Sequence, residues 1–496
     1  MKVSWSIAIT VSFAFSLIAE ERRPNILMIA VDDLRPMLGC YGDSRVKTPH
    51  IDQLAESGML FERAYCNYAK CGASRLSLMT GLLPWNIGVY DHGDKELAKF
   101  RERRADAVTM GKWFRGQGYE TRSFGKIDHD GWQLDEDWSE PPFPGREREM
   151  WEVMPPDDPT GETIIAERTD CPVVQSPDVD DDHLFAGRMT TEVLRVLVEE
   201  RDQPFFFAVG FRRPHLPFVA PRKYFDLFEP DEAWLAENQA PPQGAPVLAW
   251  FNSEGYIGMM NKLGVPMPEP VTREEAILRN GFEMRSYVGA RTRGLISKAE
   301  QLMLLHAYAA CVAYVDAQVG RLLAALDAEG LRENTIVLLW SDHGWHLGEM
   351  SAWGKMTNYE IANRVPLIIS APERVPGRTQ SFAALVDLYP TLCNLAGIEA
   401  PAHLEGVSLV PVLDDPEAIV QSEVFHEYVR KRVDFQGRAV RADRFRYVEW
   451  RNRKGEFLEA ELYDLENDPD ETINRVDGFE EQARELGALI EQRWEH

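Results

Sequence analysis

Two pairs of polar residues that can bind a cation stand directly after strongly apolar runs of the chain. Asp32 and Asp33 follow PNILMIAV, and Asp342 and His343 follow NTIVLLWS. Adjacent carboxylates repel each other, and a cation between them removes this cost. Donor sets rich in oxygen favour Ca²⁺, and less strongly Mg²⁺, over zinc, which prefers nitrogen and sulfur. The sequence therefore predicts a Ca²⁺ site; the alternative for each pair is a helix cap beside a solvated neighbour.

A second group of residues can bind an oxyanion and move protons. The group consists of Arg75, Lys126, His129, His215 and Lys355. Beside a metal ion, such cations stabilise negative charge that develops on oxygen in a transition state. Histidine can donate or accept a proton near neutral pH, because its reference pKa is about 6.5. Taken singly, each residue is better explained as an exposed lysine or a hydrogen-bonded loop histidine, so the prediction depends on the whole set.

The elements that position these residues form a recurring unit, in which a short apolar run stops at polar residues. Examples are PNILMIAVDD, QPFFFAVGFRRPH and NTIVLLWSDHG, with ETRSFGKIDH as a weaker case. Runs of five or six apolar residues fit strands that are buried on both faces of a parallel sheet. Helical patterns between the runs begin at Thr48-Pro49 and at a capping box from Ser297 to Glu300. The pattern predicts a doubly wound α/β fold with its ligands at the carboxyl ends of the strands.

The domain organisation predicted from the sequence has three parts. Residues 1–19 combine a charged start, an apolar run and small residues, as in a signal peptide. We therefore expect export to a periplasmic, secreted or lysosome-like compartment; an uncleaved anchor is the alternative. Residues 20–418 form the main α/β domain, with loop insertions at about 131–182 and 221–292, where substrate selection is usually encoded. Residues 419–496 form a small α+β subdomain.

The composition argues against several classes of partner. The net charge of −26 over 496 residues is unfavourable for binding nucleic acid or an anionic membrane, although a local cluster of Lys and Arg can still hold an anionic substrate. Beyond the first residues, no segment predicts stable membrane insertion. The six cysteines are too few for a disulfide scaffold. With Cys71 set aside, at most two disulfides can form, and their pairing stays open.

The segment CGASRLSLMTG, residues 71–81, resembles the signature of the type I sulfatase family, Cys-x-Pro/Ala-Ser-Arg followed at a fixed distance by Thr-Gly. PNILMIAVDDL precedes it, and FGKIDH and SDHGWHLGE follow it in the order of the family. The resemblance covers the chain from about residue 22 to ELYDLENDPDETIN. Within the family, AVGFRRPHLPF and SDHGWHLGEMSAWGKMTNYEIANRVPLI are most similar to iduronate-2-sulfatases. Ala73 stands where many members have proline, which the family pattern tolerates.

This resemblance implies a fold, a modification and a set of roles. The fold is that of the alkaline phosphatase superfamily, a large, mixed, mostly parallel sheet between layers of helices. A formylglycine-generating maturation enzyme oxidises the signature cysteine during export. The implied Ca²⁺ ligands are the modified Cys71, Asp32, Asp33, Asp342 and His343. The implied sulfate and aldehyde-hydrate ligands are Arg75, Lys126 and Lys355, and the implied proton carriers are His129 and His215.

Elementary chemistry explains why such a site needs a modified cysteine. A free thiol with a pKa of about 8.5 is ionised to a few per cent at pH 7, and its attack on sulfur would leave a thiosulfate ester that water removes slowly. An aldehyde hydrate has one hydroxyl to attack sulfur and a second whose deprotonation by His129 restores the aldehyde, while His215 protonates the leaving sugar oxygen. A helix predicted over residues 74–80 starts just after Cys71, and its positive end favours a bound anion.

The expected substrate is a sulfated carbohydrate, by resemblance a 2-O-sulfated uronic acid or a similar sugar. Arg212 and Arg213 can pair with a carboxylate or a second sulfate, because the guanidinium fork matches such groups; a solvated basic loop explains them equally well. Trp345 can stack on a sugar face, although core packing is the commoner role of tryptophan. His92 lies after the signature helix and can reach the cleft.

Three other functions are compatible with parts of the sequence. A phosphonate or phosphodiester hydrolase of the same superfamily uses a similar oxyanion cleft. A non-catalytic glycan-binding protein would keep the fold with an unmodified Cys71, but it does not explain why every polar residue that the mechanism needs is present. A thiol hydrolase with a Cys-His pair leaves the two Asp-containing strand ends unexplained.

Overall fold

The computed structural model describes residues 23–91, 94–129, 132, 134–143 and 171–494. The predicted signal peptide, His92 and residues 144–170 of the first predicted insertion lie outside the described residues.

The strands of the described chain belong to one large sheet, one smaller sheet and two short ladders. They are β1 (Asn25–Val31), β2 (Met59–Tyr65), β3 (Glu120–Gly125), β4 (Val174–Gln175), β5 (Phe205–Phe211), β6 (Phe218–Val219), β7 (Thr335–Ser341), β8 (His346–Leu347), β9 (Trp353–Gly354), β10 (Arg364–Val365), β11 (Leu367–Ser370), β12 (Gly377–Ala384), β13 (Glu423–Arg430), β14 (Phe435–Ala442), β15 (Phe445–Arg451) and β16 (Phe457–Asp464).

The α-helices range from single turns to a helix of 31 residues. They are α1 (Pro49–Glu56), α2 (Cys71–Thr80), α3 (Pro84–Ile87), α4 (Asp94–Arg103), α5 (Met110–Gly116), α6 (Phe185–Leu197), α7 (Arg222–Phe225), α8 (Val247–Trp250), α9 (Ile257–Lys262), α10 (Arg273–Arg279), α11 (Phe282–Arg285), α12 (Lys298–Ala328), α13 (Glu360–Asn363), α14 (Leu388–Leu395), α15 (Val410–Asp414) and α16 (Glu480–Trp494).

The large sheet is mixed and mostly parallel, as the sequence predicts. β3, β5, β1 and β7 lie side by side and run parallel, with Ile29 of β1 opposite Val209 and Leu339. β11 runs antiparallel between β7 and β2, and β12 is parallel to β2. Every residue of β1, β5 and β7 is buried, which explains why these strands read as continuous apolar runs rather than as an alternating pattern.

Helices cover both faces of the large sheet. Alternate residues of β1 point to opposite faces: Leu27 and Ile29 pack among α1, α6 and α12, and Ile26 and Met28 pack among α2, α5 and α14. The capping box predicted at Ser297 starts α12. Among the described residues, α12 is the helix long and apolar enough to cross a membrane, and 78% of its most apolar window is buried inside the protein.

The C-terminal region forms a second sheet with one helix. β13, β14, β15 and β16 make an antiparallel meander, and Leu486 and Ile490 of α16 pack on Val440 and Leu462. This confirms the predicted C-terminal subdomain of mixed α and β structure. Its predicted start at residue 419 stays a prediction.

The second predicted insertion contains short helices, whereas the sequence predicted a loop. Residues 221–292 contain the short helices α7 to α11, and Trp250, Phe251, Met260 and Phe282 form an apolar cluster of their own. Each helix is four to seven residues long, too short for a helical period to show in the sequence. All six cysteines are buried, and the structure pairs none of them in a disulfide.

Candidate active site

The candidate site lies at the edge of the large sheet where its parallel strands end. Asp32 and Asp33 follow β1, Lys126 follows β3, and Asp342 follows β7. Because β3, β5, β1 and β7 are parallel neighbours, their carboxyl ends meet at one edge. Gly210 near the end of β5 allows this close approach, since a Cβ atom there would lie 2.0 Å from the Lys126 carbonyl oxygen.

Two overlapping groups of buried donors meet at this edge. Ligand atoms of Asp32, Cys71, Asp342 and His343 all lie within 4.8 Å of one another, and so do those of Asp32, Asp33, Cys71 and His215. The Cys71 Sγ atom is 3.2 Å from His343 Nε2 and 4.0 Å from Asp33 Oδ1. The structure therefore brings together all five residues of the predicted metal set.

The geometry of the cluster fits a hard cation. His343 Nδ1 lies 3.0 Å from the Gly344 carbonyl oxygen, to which it donates, so Nε2 is the ring nitrogen that faces the cluster. Two hydrogen bonds hold the Asp33 main chain in place. The Asp33 amide donates to Asp342 Oδ1 at 3.2 Å, and the Asp33 carbonyl accepts from the Tyr308 hydroxyl at 2.9 Å. Three carboxylates and one imidazole form an oxygen-rich donor set. These residues can hold a metal ion.

Each carboxylate of the cluster also has a basic partner. Lys126 Nζ lies 2.5 Å from Asp32, Lys355 Nζ 2.9 Å from Asp33, and Arg75 Nε 2.8 Å from Asp342. Burial opposes ionisation of Asp32, but Lys126 and Arg75 outweigh it and hold the pKa of Asp32 well below its usual value. Burial and the neighbouring Asp32 raise the pKa of Asp33 well above its usual value, despite the nearby charge of Lys355. A cation would relieve this repulsion.

The helix that carries Cys71 is wholly buried and is fixed to the strand ends. All ten residues of α2 are buried, and Ser74 Oγ donates to the Asp342 carbonyl at 2.6 Å. The helix begins at Cys71, three residues before the predicted start, because the Ser74 amide already donates to the Lys70 carbonyl. Cys71 is therefore the first helical residue rather than the residue before the helix.

Arg75 contacts protein groups on every side. Its guanidinium donates to Asp342, to Asp32 at 3.4 Å, and to the Lys126 and Ile127 carbonyls at 2.5 and 3.1 Å. Its side chain is 0% exposed and does not line the cavity above the cluster. In this structure Arg75 orients two carboxylates, which differs from the direct sulfate contact that the family resemblance implies.

A cavity of about 340 Å³ opens above the cluster. We call its buried base the floor, which consists of Cys71, Lys126, His215, Glu283 and Lys355. We call its partly or fully exposed border the rim, which consists of Lys70, Tyr90, Asp91, Tyr256, Lys431 and Arg432. His129 and Arg212 also line the cavity. Cations and proton carriers on the floor thus face the space above Cys71.

The two predicted proton carriers differ in their surroundings. His215 Nδ1 lies 2.6 Å from the Leu216 carbonyl oxygen, to which it donates, which leaves Nε2 at 3.6 Å from Glu283 Oε1. Burial and the nearby charge of Lys355 lower the pKa of His215 well below its usual value, so the free protein holds this ring neutral. The His129 ring lies edge-on to Trp132, with ring centres 5.5 Å apart.

Two predicted substrate contacts are placed differently from the expectation. Arg212 lines the cavity, but Arg213 does not, and its Nη1 atom donates to the His215 carbonyl at 3.0 Å. Arg212 directly follows β5 and Arg213 lies in the turn after it, so the two neighbouring arginines do not share a target. Trp345 is 1% exposed and lies beneath Lys355, whose Nζ is 4.7 Å from the ring centre. Position 92 lies outside the described residues.

Several cavity residues have no counterpart in the sequence predictions. Glu283, on the short helix α11, lies 3.5 Å from Lys355 Nζ and close to His215. Tyr256 comes from the second insertion, and Tyr428, Lys431 and Arg432 come from the C-terminal sheet. Nothing in the local sequence indicates Glu283, whereas the basic run YVRKRV marks the turn after β13.

Comparison with protein families gives two matches. The model described as sulfatase matches residues 24–398. The model described as N-sulphoglucosamine sulphohydrolase, C-terminal, matches residues 348–495. The first model covers most of the chain, including both strand ends of the cluster, α2 and the floor of the cavity.

Individual proteins give the same picture. The chain is 33% identical over 411 residues to iduronate 2-sulfatase of Homo sapiens, covering 76% of this chain and 70% of that protein. It is 31% identical over 474 residues to a sulfatase of Formosa agariphila, covering 93% and 84%. A solved structure in complex with its substrate D-glucosamine-2-N,6-O-disulfate superposes with a TM-score of 0.68 at 21% identity, covering 96% of this chain and 98% of the other. The fold is therefore alkaline-phosphatase-like, as expected.

Proposed function

We propose that this chain, which belongs to the sulfatase family and is a sulfuric ester hydrolase, removes sulfate from a sulfated carbohydrate by means of a formylglycine made from Cys71. The observation that carries this proposal is the position of Cys71, at the meeting point of the donor cluster, the start of a buried helix and the floor of the cavity. The proposed substrate is a 2-O-sulfated uronic acid or a similar sugar, supported by the match to iduronate 2-sulfatase.

The proposed metal ion is Ca²⁺. Asp32, Asp33, Asp342 and His343 would hold it together with the modified residue 71. Their three carboxylates and one imidazole suit Ca²⁺ better than zinc. A bound Ca²⁺ supplies positive charge that polarises the sulfate oxygens.

The surroundings of Cys71 favour modification over direct use of the thiol. Burial and the nearby Asp32 raise the pKa of the Cys71 thiol to about 12, so in the metal-free protein the thiol is neutral and a weak nucleophile. A formylglycine hydrate supplies a hydroxyl nucleophile at the same position. The donors around residue 71 are already fixed by Arg75, Ser74 and the strand ends, which keeps the nucleophile in place.

The remaining cavity residues have separate proposed roles. Lys126 and Lys355 bind the sulfate oxygens from two sides, because each ammonium lies on the floor beside Cys71. His215 presents Nε2 to the cavity and protonates the leaving sugar oxygen; the negative sulfate beside it raises its affinity for a proton. His129 accepts the proton from residue 71 in the step that releases sulfate.

The cellular setting follows from the same proposal. We propose export of the protein and oxidation of Cys71 by a formylglycine-generating enzyme, since the signature at residues 71–81 is the sequence such an enzyme acts on in this family. The relative iduronate 2-sulfatase supports a sulfated sugar as the substrate. The net charge of −26 supports the absence of nucleic acid among the partners.

Two measurements on one preparation test the proposal. The protein is produced together with a formylglycine-generating enzyme, and mass spectrometry of the peptide containing Cys71 should show an aldehyde or its hydrate. The same preparation should hydrolyse 4-nitrophenyl sulfate faster than bis(4-nitrophenyl) phosphate. A plain thiol with no turnover would indicate a glycan-binding protein, and faster turnover of the diester would indicate a phosphodiester hydrolase; either result contradicts the proposal.

A further inference from the structure

The cations around the cavity differ in whether a carboxylate already neutralises them. Lys126 and Lys355 on the floor pair with Asp32 and Asp33. At the rim, Lys70 Nζ lies 2.7 Å from Asp91, and Lys431 forms an ion pair with Glu96. A carboxylate of the protein therefore partly neutralises each of these four lysines.

Arg432 is the exception at the rim. It is exposed, and its side chain forms no hydrogen bond or ion pair with the residues that the structure describes. Its guanidinium lies beside the backbone of α9, since a Cβ atom at Gly258 would be 3.1 Å from Arg432 Nη2. The guanidinium of an arginine with no carboxylate partner can form a bidentate ion pair with an anionic group of a ligand.

The main chain around Arg432 is fixed although its side chain is not. Its amide donates to Glu254 Oε1 at 2.9 Å, and the neighbouring Lys431 is tied to Glu96. The Asp434 carboxylate accepts from the Arg453 amide at 2.7 Å on the far side of the turn. The turn between β13 and β14 therefore holds the main chain of Arg432 in place. Because of this, ligand binding has the entropic cost of ordering the Arg432 side chain but not that of ordering the loop.

Aromatic residues next to this turn provide a surface for a sugar ring. Tyr90, Tyr256 and Tyr428 all line the cavity. Tyr428 packs on Tyr68 with ring centres 4.9 Å apart, and Tyr68 packs on Tyr90 at 5.6 Å. A cavity of about 340 Å³ has room for one sugar ring. When the sulfate of that sugar lies on the floor, its other substituents face the tyrosines and the rim.

We infer that Arg432 binds a second anionic group on the sugar that carries the scissile sulfate, either a carboxylate or a second sulfate ester. This inference rests on the proposed function. It assigns substrate selection to the C-terminal subdomain, because Arg432 lies in the turn between β13 and β14. It also replaces Arg213, which does not line the cavity, as the arginine that recognises such a group.

The test compares three sugars that differ at one position. They are a 2-O-sulfated hexuronic acid glycoside, its carboxyl-reduced counterpart with a neutral hydroxymethyl group, and the 2,6-di-O-sulfated hexose. For the protein as isolated, kcat/KM should be higher for at least one doubly anionic sugar than for the neutral counterpart. We call kcat/KM for a doubly anionic sugar divided by kcat/KM for the neutral counterpart the selectivity ratio. In R432Q this ratio should fall about tenfold, the loss expected for one charge-assisted pair, and R432K should restore part of it.

Two further variants serve as controls. R475Q removes another exposed arginine that does not line the cavity, and its ratio should equal that of the original protein. K431Q removes a lysine already paired with Glu96, so the ratio should fall by less than it does in R432Q. A larger fall for the uronate identifies the carboxylate as the ligand of Arg432, and a larger fall for the disulfated sugar identifies the sulfate.

The inference and the proposed function can fail separately. Calorimetric binding of the same three sugars measures charge preference without turnover. Preferential binding that depends on Arg432, in a protein that releases no sulfate, would support the inference and contradict the proposed function. An unchanged selectivity ratio in R432Q, or equal binding of all three sugars to the original protein, would overturn the inference.

Discussion

The lysines on the floor of the cavity differ from Arg432 at its rim in whether a carboxylate neutralises them. On the floor, Lys126 follows β3 and Lys355 follows β9, and both pair with buried carboxylates. At the rim, Tyr256 and Arg432 belong to an insertion and to the C-terminal sheet, and the Arg432 side chain is unpaired among the described residues. Under the proposed function, the floor residues carry out the chemistry and Arg432 at the rim selects the substrate.

The largest expected effect comes from removing a carboxylate of the donor cluster. Asp342→Asn should lower kcat on 4-nitrophenyl sulfate on the order of 10³-fold, because Asp342 is a proposed Ca²⁺ ligand and the partner of Arg75 at 2.8 Å. Steady-state kinetics together with calcium titration would measure both losses.

A buried carboxylate elsewhere in the fold separates this effect from simple destabilisation. Asp316 of α12 accepts from the Ile51 amide at 2.8 Å and from the His50 amide at 3.1 Å. Asp316→Asn should lower the melting temperature and leave kcat within about twofold, as expected for a structural residue far from the site. Equal losses of kcat in both variants would contradict the role given to the donor cluster.

Removal of divalent cations is expected to have the next largest effect. Dialysis against a calcium chelator should lower activity about 100-fold and lower the melting temperature, since a ligand that binds the folded state stabilises it. Added Ca²⁺ should restore both. The chelated protein should stay folded, because Lys126, Lys355 and Arg75 still pair with the carboxylates. Full activity after chelation would count against the metal site.

Glu283 provides an intermediate test, since it is on the floor but comes from the second insertion. It lies 3.5 Å from Lys355 Nζ and 3.6 Å from His215 Nε2. Glu283→Gln keeps the shape and removes the charge, and kcat should fall about tenfold with KM changed less than twofold. A change confined to KM would place Glu283 with the rim residues instead.

The smallest expected effect is on how the stability of the folded protein depends on pH, through a buried group at the junction between the large sheet and the C-terminal sheet. Burial raises the pKa of Glu471 to about 8, even though Arg446 lies 2.8 Å away, because the partly buried Glu360 shares that arginine. The folded state then binds a proton that the unfolded state releases above about pH 4.5. This stabilisation is complete below that pH and is lost as the pH rises through about 8.

Glu471→Gln should remove this pH dependence. Denaturant unfolding measured from pH 5 to pH 8 should show a decrease in the free energy of unfolding with rising pH that is smaller in the variant than in the original protein. Glu459→Gln, at an exposed position on β16, provides the control. Parallel curves for the original protein and Glu471→Gln would show that Glu471 is not protonated in the folded state.

The donor cluster beneath the floor could be predicted from the sequence because its aspartates follow a repeated pattern. Each buried parallel strand reads as an apolar run, and the residue after the run must lie at the carboxyl edge of the sheet. Asp32 and Asp342 are placed by this rule. Burial within α2 and the contacts of Arg75 depend on packing between distant segments, so the sequence could not show that this arginine faces the carboxylates.

Glu283 on the floor and Arg432 at the rim could not be predicted, since no repeated pattern leads to them. Glu283 lies on a single helical turn, and Arg432 lies in a turn more than 350 residues after Cys71 in the chain. Arg213 does not line the cavity, and its position has a local cause. Arg212 and Arg213 are equally basic, and which of two neighbours faces the cavity depends on the register of the chain after β5.

The most direct test of the central claim is sulfate release by matched cysteine variants. Inorganic sulfate released from a 2-O-sulfated uronic acid glycoside is measured for the protein produced with a formylglycine-generating enzyme, for Cys71→Ala, and for Cys393→Ala. Cys393 is another buried cysteine, on α14. Loss of sulfate release in Cys71→Ala alone is the predicted result, and sulfate release by Cys71→Ala at the original rate would contradict the account.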